Sequence, residues 1–305
     1  MLRYILRRIA SMVPVLWVVA TLTFFLMRMA PGGPFDSDKQ LPEEILKNLQ
    51  AKYHMDEPLW QQYFRYLGML VRGDLGPSFR YVNRDVVDII AETFPASALI
   101  GTLGFLFAVF LGVLTGIVAA SRPHALRDYL SMFLSMLGIC LPSFVIGPIF
   151  MLIFAVKLGW FNVSGWNEAK DVVLPSLTLG TMYAAFFARL TRGGVLEIVQ
   201  QDFVRTARAK GLPDWLILLK HTLKGGLLPT VSFMGPAAAA MLTGSLVVET
   251  IFNIPGMGRF FVQSALNRDY TLVMGCVLFV AFLIIVMNLL VDIAYAFLDP
   301  RVSYE

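Results

Sequence analysis

The chain alternates long apolar runs with shorter polar segments, and this pattern predicts six membrane-spanning helices. The first run, 9–27, carries no charge and follows three arginines at positions 3, 7 and 8. As a helix it would extend about 28 Å, close to the roughly 30 Å hydrocarbon core of a bilayer. It is longer than the apolar region of a signal peptide and lacks an A-x-A cleavage site, so we predict a retained span. The other predicted spans are 96–120, 129–156, 172–188, 225–248 and 271–291.

Two of these runs carry internal signals. The third contains Pro142 and Pro148, so we expect it to be kinked or partly unwound. The second contains Gly112 and Gly116 in a GxxxG spacing, which permits another helix to approach closely. The whole chain is therefore predicted to be an all-α polytopic membrane protein.

Residues 31–94, between the first two spans, differ in composition. Ten acidic and seven basic residues fall between positions 36 and 92. Helices are predicted at 41–53 and 57–71, with breaks at 73–77 and at Pro95. We predict an extracytoplasmic helical cap that could receive a binding protein. The alternative is a solvated loop with two short helices and no partner.

The segment 189–224 is the long basic connection between two spans, with seven Lys or Arg against three acidic residues. Apolar residues at 196, 199, 203 and 207 predict a helix with one apolar face. Gly211-Leu212-Pro213 should end that helix, because Gly suits a left-handed cap and Pro cannot continue the hydrogen-bond ladder. Asp214 suits the start of a second helix. Such a hairpin indicates a surface for another protein; the alternative is an ordinary positively charged loop.

The distribution of basic residues predicts the orientation. Thirteen Lys and Arg, including Arg122, Arg127 and Arg301, lie on the same side as the N-terminus. Twelve lie on the opposite side, but seven of these are in the long cap, and long loops count little toward orientation. Both termini and the segment 189–224 are therefore predicted to be cytoplasmic.

Composition narrows the function classes. The chain is 57% hydrophobic and 15% charged, a balance far from that of soluble proteins. Cys140 and Cys276 lie within apolar runs, and the three histidines lack metal-ligand spacing, so neither a disulfide framework nor a metal site is expected. No GxxxxGK[ST] phosphate loop occurs, so we do not expect ATP hydrolysis by that route. Asn288 and Asp292 share one face of the last span, where interhelical hydrogen bonding or a cytoplasmic-end position is expected.

Several motifs resemble one family. They are RTARAKG at 205–211, LMRMAPGGPF at 26–35, LPSFVIGP at 141–148, VVETIFNIPGMGRFF at 247–261 and LNRDY at 266–270. The chain resembles the B-type permease subunit of oligopeptide or dipeptide ATP-binding-cassette (ABC) importers. In the general signature of such permeases, Glu-Ala-Ala, three residues and Gly, only Ala207 and Gly211 match. Arg205 and Thr206 replace the first two residues, as in the peptide-permease branch.

The resemblance implies the type I importer permease fold, with six transmembrane helices and the cap. The chain would divide into 1–30 (first span), 31–94 (cap) and 95–299 (core, with coupling loop 189–224). It also implies a second, C-type permease subunit, two ATPase subunits that bind ATP and Mg²⁺, and an extracytoplasmic peptide-binding protein. This chain would carry no cofactor and no catalytic residue, would bind no nucleic acid, and would lie in the bilayer of a bacterial cytoplasmic (inner) membrane.

Carried over to this chain, the resemblance places ATPase coupling within 202–229. Ala207 would allow close approach of the partner, and Gly211 would form the turn. Arg205, Arg208 and Lys210 would make charge-assisted contacts. The full set of expected coupling residues is Arg205, Thr206, Ala207, Arg208, Lys210, Gly211, Leu212 and Pro213.

A translocation path is expected near the broken third span, because interrupted backbone must be satisfied by protein or by water in a cavity. The expected residues are Pro142, Ser143, Phe144, Met241 and Glu249. Each of the first four could equally belong to a kinked core helix. Glu249 could bind a peptide amino group, pair with Arg259, or be an exposed interface charge.

The function predicted from these features is a peptide permease subunit driven by separate ATPases. The cargo alternatives are glutathione, a peptide antibiotic or a nickel complex. A secondary transporter would be expected to show inverted repeats and intramembrane relays, and an intramembrane hydrolase would need a facing nucleophile and base. Neither pattern is found in the sequence.

Overall fold

The computed structural model describes residues 2–29, 32–35 and 42–298, and regular structure in these ranges is helical. The helices are α1 Leu2–Met29, α2 Glu43–Lys52, α3 Leu59–Val71, α4 Val86–Ser121, α5 Leu126–Cys140, α6 Ser143–Phe150, α7 Val173–Val199, α8 Asp202–Ala209, α9 Asp214–Leu216, α10 Leu223–Gly226, α11 Leu228–Leu242, α12 Leu246–Ile251, α13 Met257–Leu266 and α14 Tyr270–Leu298. Cap residues 36–41 and Arg301, which entered the predictions above, lie outside the described residues.

The six predicted spans are present in the described chain. Five stretches are long and apolar enough to cross a membrane: Leu6–Met29, Val86–Ser121, Ala169–Val199, Leu228–Ile251 and Tyr270–Ala294. The fourth of these consists of α11 and α12 with a short break at 243–245. The sixth is the pair α5 and α6, with its π-helical continuation to Lys157, bent by 107° at the break. The predicted kink is thus confirmed at Pro142. Leu141 is extended (ψ 118°) because proline disfavours the helical conformation in the residue before it.

The predicted break at Pro95 was wrong. α4 begins at Val86 and continues through Pro95, which was expected to be a break. Its first turns bury Val86, Ile89 and Ile90 against α13 and α14, and this packing outweighs the loss of one backbone hydrogen bond. The predicted fourth span, 172–188, lies within a longer helix, because α7 continues to Val199.

Helices α4 and α7 form the centre of the bundle, and glycines allow them to touch. A Cβ added to Gly112 would lie 2.6 Å from the Cβ of Phe187, and one on Gly116 would lie 2.6 Å from the carbonyl oxygen of Ala188. The close approach predicted from the GxxxG spacing is confirmed. Small residues at such contacts gain packing energy that lipid cannot supply.

The cap is fastened to α1 and α14. Tyr66 of α3 packs with Phe24 of α1 and Met274 of α14 in one apolar cluster. Asp269, fully buried just before α14, accepts hydrogen bonds from the Ser78 hydroxyl and from the backbone amides of Phe79 (3.1 Å) and Leu272 (3.2 Å). One carboxylate therefore joins the cap to the start of the last span.

The first and last spans are also joined by a polar contact. Arg8 Nη2 lies 2.9 Å from Asp292 Oδ2, which pairs α1 with α14. Interhelical hydrogen bonding or a cytoplasmic-end position was expected for Asp292, and this ion pair gives it an interhelical partner. Pairing of opposite charges lowers the cost of placing them in or near a membrane.

Candidate functional site

The basic segment folds as a hairpin of short helices rather than continuing from α7. α7 ends at Val199 and α8 begins at Asp202, with Gln201 in an extended conformation (φ −72°, ψ 150°). The expected continuous helix through Leu196 and Ala207 is therefore wrong. The apolar spacing was real, but its residues are divided between two helices.

The turn of the hairpin has the predicted chemistry. Gly211 adopts a left-handed conformation (φ +78°) directly after α8. Its amide donates to the carbonyl of Arg208 (2.9 Å), and the amide of Leu212 donates to the carbonyl of Ala207 (3.3 Å). These two bonds form a Schellman motif, which satisfies the last carbonyls of α8. Asp214 then begins α9, as expected.

The inner face of the hairpin is a small apolar core. Val204, Ala207 and Ile217 are buried together, with Ile198 and Leu212 packed against them. Ala207 therefore lies inside the hairpin, and the expectation that it faces a partner is not supported by its position. It follows Val204 by three residues, which puts both side chains on one face of α8.

The outer face of the hairpin is basic and aromatic. Arg205, Thr206, Arg208, Lys210 and Pro213 are exposed, whereas Leu212 is half-buried. Three large apolar side chains lie on the same exposed hairpin and were not predicted as coupling residues: Phe203 (50% exposed), Trp215 (63%) and Leu219 (58%). A tryptophan within a basic connection was the available sequence signal. We call the exposed residues of 203–219 the outer hairpin surface.

The arginines of this surface are only loosely held within the chain. Arg205 lies 3.4 Å from Asp202 and Arg208 lies 3.5 Å from Asp214, and all four side chains are well exposed. Exposed ion pairs of this kind contribute about 0–1 kcal/mol. The guanidinium groups can therefore exchange these contacts for those of a partner at small cost.

Arg192, one of the seven basic residues of 189–224, does not lie on the outer hairpin surface. Arg192 belongs to α7 and donates through Nε (2.6 Å) and Nη2 (2.8 Å) to the two carboxylate oxygens of Asp128. Just beyond it, Gly194 touches the backbone of Gly226 in α10, where an added Cβ would overlap the carbonyl oxygen. The hairpin is thus seated directly against the end of α7.

The structure places the residues expected along a translocation path in different parts of the bundle. Pro142, Ser143 and Phe144 lie at the bend between α5 and α6, and Phe144 is exposed. Met241 is fully buried, with its backbone against Gly101 and its methyl group near Gly104 of α4. These residues do not form one shared open surface within this chain.

Glu249 is buried in a network that connects three elements. Its Oε1 accepts from the Ser97 hydroxyl (2.7 Å) and its Oε2 accepts from the Arg259 amide (2.8 Å). The Ser97 oxygen also accepts from the Met257 amide (2.8 Å). The alternative of an exposed charge is wrong, and Arg259 contributes its backbone amide rather than a guanidinium pair to this network.

This network explains Gly256 of the 247–261 motif and Gly244, which lies just before the motif. A Cβ on Gly244 or Gly256 would overlap the carboxylate of Glu249. The carboxylate lies at the first turn of α13, where backbone amides and the helix dipole favour negative charge. Glu249 therefore holds α12, α13 and α4 together, and its oxygens are occupied by protein donors.

A cleft of about 870 Å³ lies between α1, α3, α4 and α14. Residues such as Trp17, Leu67, Phe94 and Phe282 line it, and the lining is apolar except for the indole N–H of Trp17 and backbone groups. A peptide with charged termini would find few hydrogen-bond partners there, so this cleft is poorly suited to bind one.

Comparison with known proteins places the chain. Residues 112–304 match the family model described as binding-protein-dependent transport system inner membrane component, and residues 1–100 match the model of the N-terminal part of such membrane components. The oligopeptide transport system permease protein OppB of Haemophilus influenzae is 47% identical over 306 residues, covering 100% of both chains. OppB of Escherichia coli is 46% identical with the same coverage. The dipeptide transport system permease protein DppB of Bacillus subtilis is 41% identical, covering 99% of this chain and 98% of its own.

A solved structure supports the fold. The MetNI methionine ABC transporter, in an inward-facing conformation, aligns with a TM-score of 0.51 and 18% identity, covering 70% of this chain and 96% of that chain. At this identity the likeness concerns architecture only, and it agrees with the type I importer fold. The chain belongs to the family of inner membrane components of binding-protein-dependent transport systems.

Proposed function

We propose that this chain is the permease subunit of an ATP-driven importer that carries oligopeptides or dipeptides across the bacterial inner membrane. The observation that carries the cargo class is full-length similarity, at 41–47% identity, to permeases of oligopeptide and dipeptide transport systems. Glutathione, a peptide antibiotic or a nickel complex is the alternative cargo. The six spans and the hairpin would serve the same mechanism in each case.

The outer hairpin surface is the proposed contact with the ATPase subunits. Its core of Val204, Ala207 and Ile217 gives it a fixed shape, and the Schellman turn fixes the exit of α8. Trp215 and the arginines are residue types that often dominate the energy of protein interfaces. An ATPase groove that accepts an aromatic ring beside acidic groups would complement this surface.

ATP and Mg²⁺ would be bound by the ATPase subunits rather than by this chain. The absence of a GxxxxGK[ST] motif from the sequence supports this division of labour. ATP binding drives transport only if it favours one permease conformation over another, and coupling free energies between linked sites are typically about 1–3 kcal/mol. The hairpin would transmit that preference.

A second, related permease subunit would complete the conduit. Along α5 and α6 the chain exposes large apolar residues, among them Leu130, Phe133, Leu134 and Phe144. One bundle of six spans encloses little space beyond its own packing. Pairing with a related bundle near the bend at Pro142 would form a path and cover part of this face.

The hairpin and both termini are proposed to be cytoplasmic, with the cap on the opposite side. The excess of basic residues beside the short connections supports this orientation. The cap, held to the last span through Asp269, would then provide a firm platform for an extracytoplasmic peptide-binding protein.

The test of the coupling surface is site-specific cross-linking in the complete importer. Cys140 and Cys276 are first replaced by serine, and a single cysteine is introduced by Trp215→Cys. A short bifunctional thiol–amine reagent should link that position to an ATPase subunit. Val82→Cys on the cap is the matched control, since Val82 is also highly exposed. Linking at position 82 but not at 215 would refute the proposed orientation and contact.

Cargo is tested separately, by uptake into proteoliposomes of the importer with its binding protein. Labelled di- and oligopeptides should accumulate only with ATP inside the compartment that holds the ATPase subunits. Accumulation of glutathione or a nickel chelate in their place would assign the alternative cargo. Uptake by this chain alone without ATP would refute the importer mechanism.

A further inference from the structure

Asp128 and Arg192 form a buried, two-point contact between the third and fourth spans. Arg192 Nε donates to Asp128 Oδ1 at 2.6 Å and Nη2 donates to Oδ2 at 2.8 Å. The Asp128 side chain is nearly inaccessible, and that of Arg192 is mostly covered. The backbone amide of His124 donates a third bond to Asp128 Oδ2 at 3.0 Å. Two parallel charge-assisted bonds fix the relative orientation of the groups as well as their distance.

The pair lies between the end of α7, where the hairpin begins, and the start of α5. Arg192 lies on α7 about 10 Å before its end at Val199, where the hairpin begins. Asp128 lies in the first turn of α5, which runs to the 107° bend at the proposed translocation path. The pair therefore connects the base of the hairpin to the start of the broken span.

The other contacts at this level are of a different kind. Thr191 shares a hydrogen bond of 2.9 Å with Thr230 of α11, and Gly116 of α4 touches Thr191. Farther along the same helix pair, Gly138 of α5 packs on Ala185. Packing between smooth apolar surfaces permits small sliding of helices. A two-point ion pair resists sliding and rotation. Of the two contacts named here between α5 and α7, the ion pair is therefore the one suited to make α5 follow α7.

We propose that the Asp128–Arg192 pair is a positioning contact that makes the third span move with the hairpin when the ATPase subunits change conformation. The pair does not touch cargo or ATP; it acts by holding α5 in register with α7. This inference rests on the proposed function, because it requires that the hairpin be displaced by an ATPase partner.

The test measures labelled-peptide uptake and ATP hydrolysis on the same proteoliposomes of the complete importer. Asp128→Asn keeps the side-chain size but removes the charge that orients the guanidinium. We expect peptide taken up per ATP hydrolysed to fall about tenfold, while hydrolysis continues. Arg192→Lys keeps a positive charge beside Asp128 but loses the planar fork, and it should lower the same ratio several-fold.

The control is Glu92→Gln, which removes one carboxylate from the exposed Arg84–Glu92 ion pair on the opposite side of the bundle. Its uptake per ATP should match that of the unaltered importer. A merely structural role for Asp128 would reduce the amount of assembled complex but leave this ratio within twofold of normal. That result in both Asp128→Asn and Arg192→Lys would overturn the proposal.

Cross-linking at position 215 separates failure of the positioning role from failure of the proposed coupling function. If the hairpin links to the ATPase subunit and the ratio is unchanged in both variants, only the positioning role is refuted. If the hairpin does not link to the ATPase subunit, the proposed coupling function itself is refuted.

Discussion

Gly211 provides the sharpest test of the hairpin, because the effect of its backbone conformation can be separated from steric contact with its surroundings. Its φ of +78° lies in the left-handed region, and no heavy atom lies within 4 Å of an added Cβ. A Gly211→Ala substitution therefore meets no steric contact and pays only the conformational cost of about 1–2 kcal/mol. That cost corresponds to roughly a 5- to 30-fold rise in the population of the opened hairpin.

The matched control is Gly193→Ala. Gly193 also has open space around its Cβ position, but it lies within α7. Alanine at a helical position is favoured over glycine by about 0.5–1 kcal/mol. The two substitutions add the same methyl group to the same kind of open surface, and they should have opposite effects.

The assay is amide hydrogen exchange of residues 204–217 in the purified membrane protein, under conditions where exchange follows the opening equilibrium. Gly211→Ala should accelerate exchange by the factor given above, and Gly193→Ala should not. The exchange rate in Gly211→Asn should lie between those of Gly193→Ala and Gly211→Ala, because asparagine tolerates the left-handed region better than alanine. Unchanged exchange in Gly211→Ala would refute the assignment of the turn and the local stability argument.

Three further predictions concern the hairpin core, the buried Glu249 and the anchor of the cap. Ala207→Glu places a charge in the hairpin core and should increase protease cleavage within 200–217. Arg208→Glu, on the exposed face, should leave cleavage unchanged but weaken ATPase association in a pull-down. Equal cleavage in the two variants would contradict the burial of Ala207. Glu249→Ala leaves buried donors without acceptors and opens a cavity, so it should cost about 2–5 kcal/mol, seen as a lower thermal unfolding temperature, with Glu249→Gln less affected. Asp269→Asn should increase proteolysis of the cap at 72–85 while leaving hairpin cleavage unchanged, and an unaltered cap pattern would argue against this anchor.

Some features could be predicted because they depend on neighbours along the chain. The turn at Gly211-Leu212-Pro213 and the start of α9 at Asp214 follow from backbone preferences of the residues themselves. The bend at Pro142 likewise follows from the restriction that proline places on Leu141. These predictions needed no knowledge of what packs where.

Other features depend on partners distant in sequence, and pattern reasoning missed them. The periodicity through Leu196 and Ala207 suggested one helix, but the break at Gln201 turns α8 back so that Val204 and Ala207 meet Ile217. Glu249 looked equally compatible with solvent, yet it is covered by Ser97, 152 residues away. Nothing adjacent to either residue in the chain specifies those contacts.

The sequence by itself determined that the chain crosses a membrane six times, where it bends, and where its basic hairpin turns. The thickness of the bilayer sets the length of an apolar run, and the φ preferences of single residues set the turns. Spans and turns therefore depend on residues that are adjacent in the sequence. Only the tertiary structure decided that Ala207 faces inward, that Trp215 lies exposed beside the arginines, and that Asp128 meets Arg192. Those outcomes arise because burial and charge pairing are satisfied between helices, and the partner of each group is chosen by packing rather than by sequence distance.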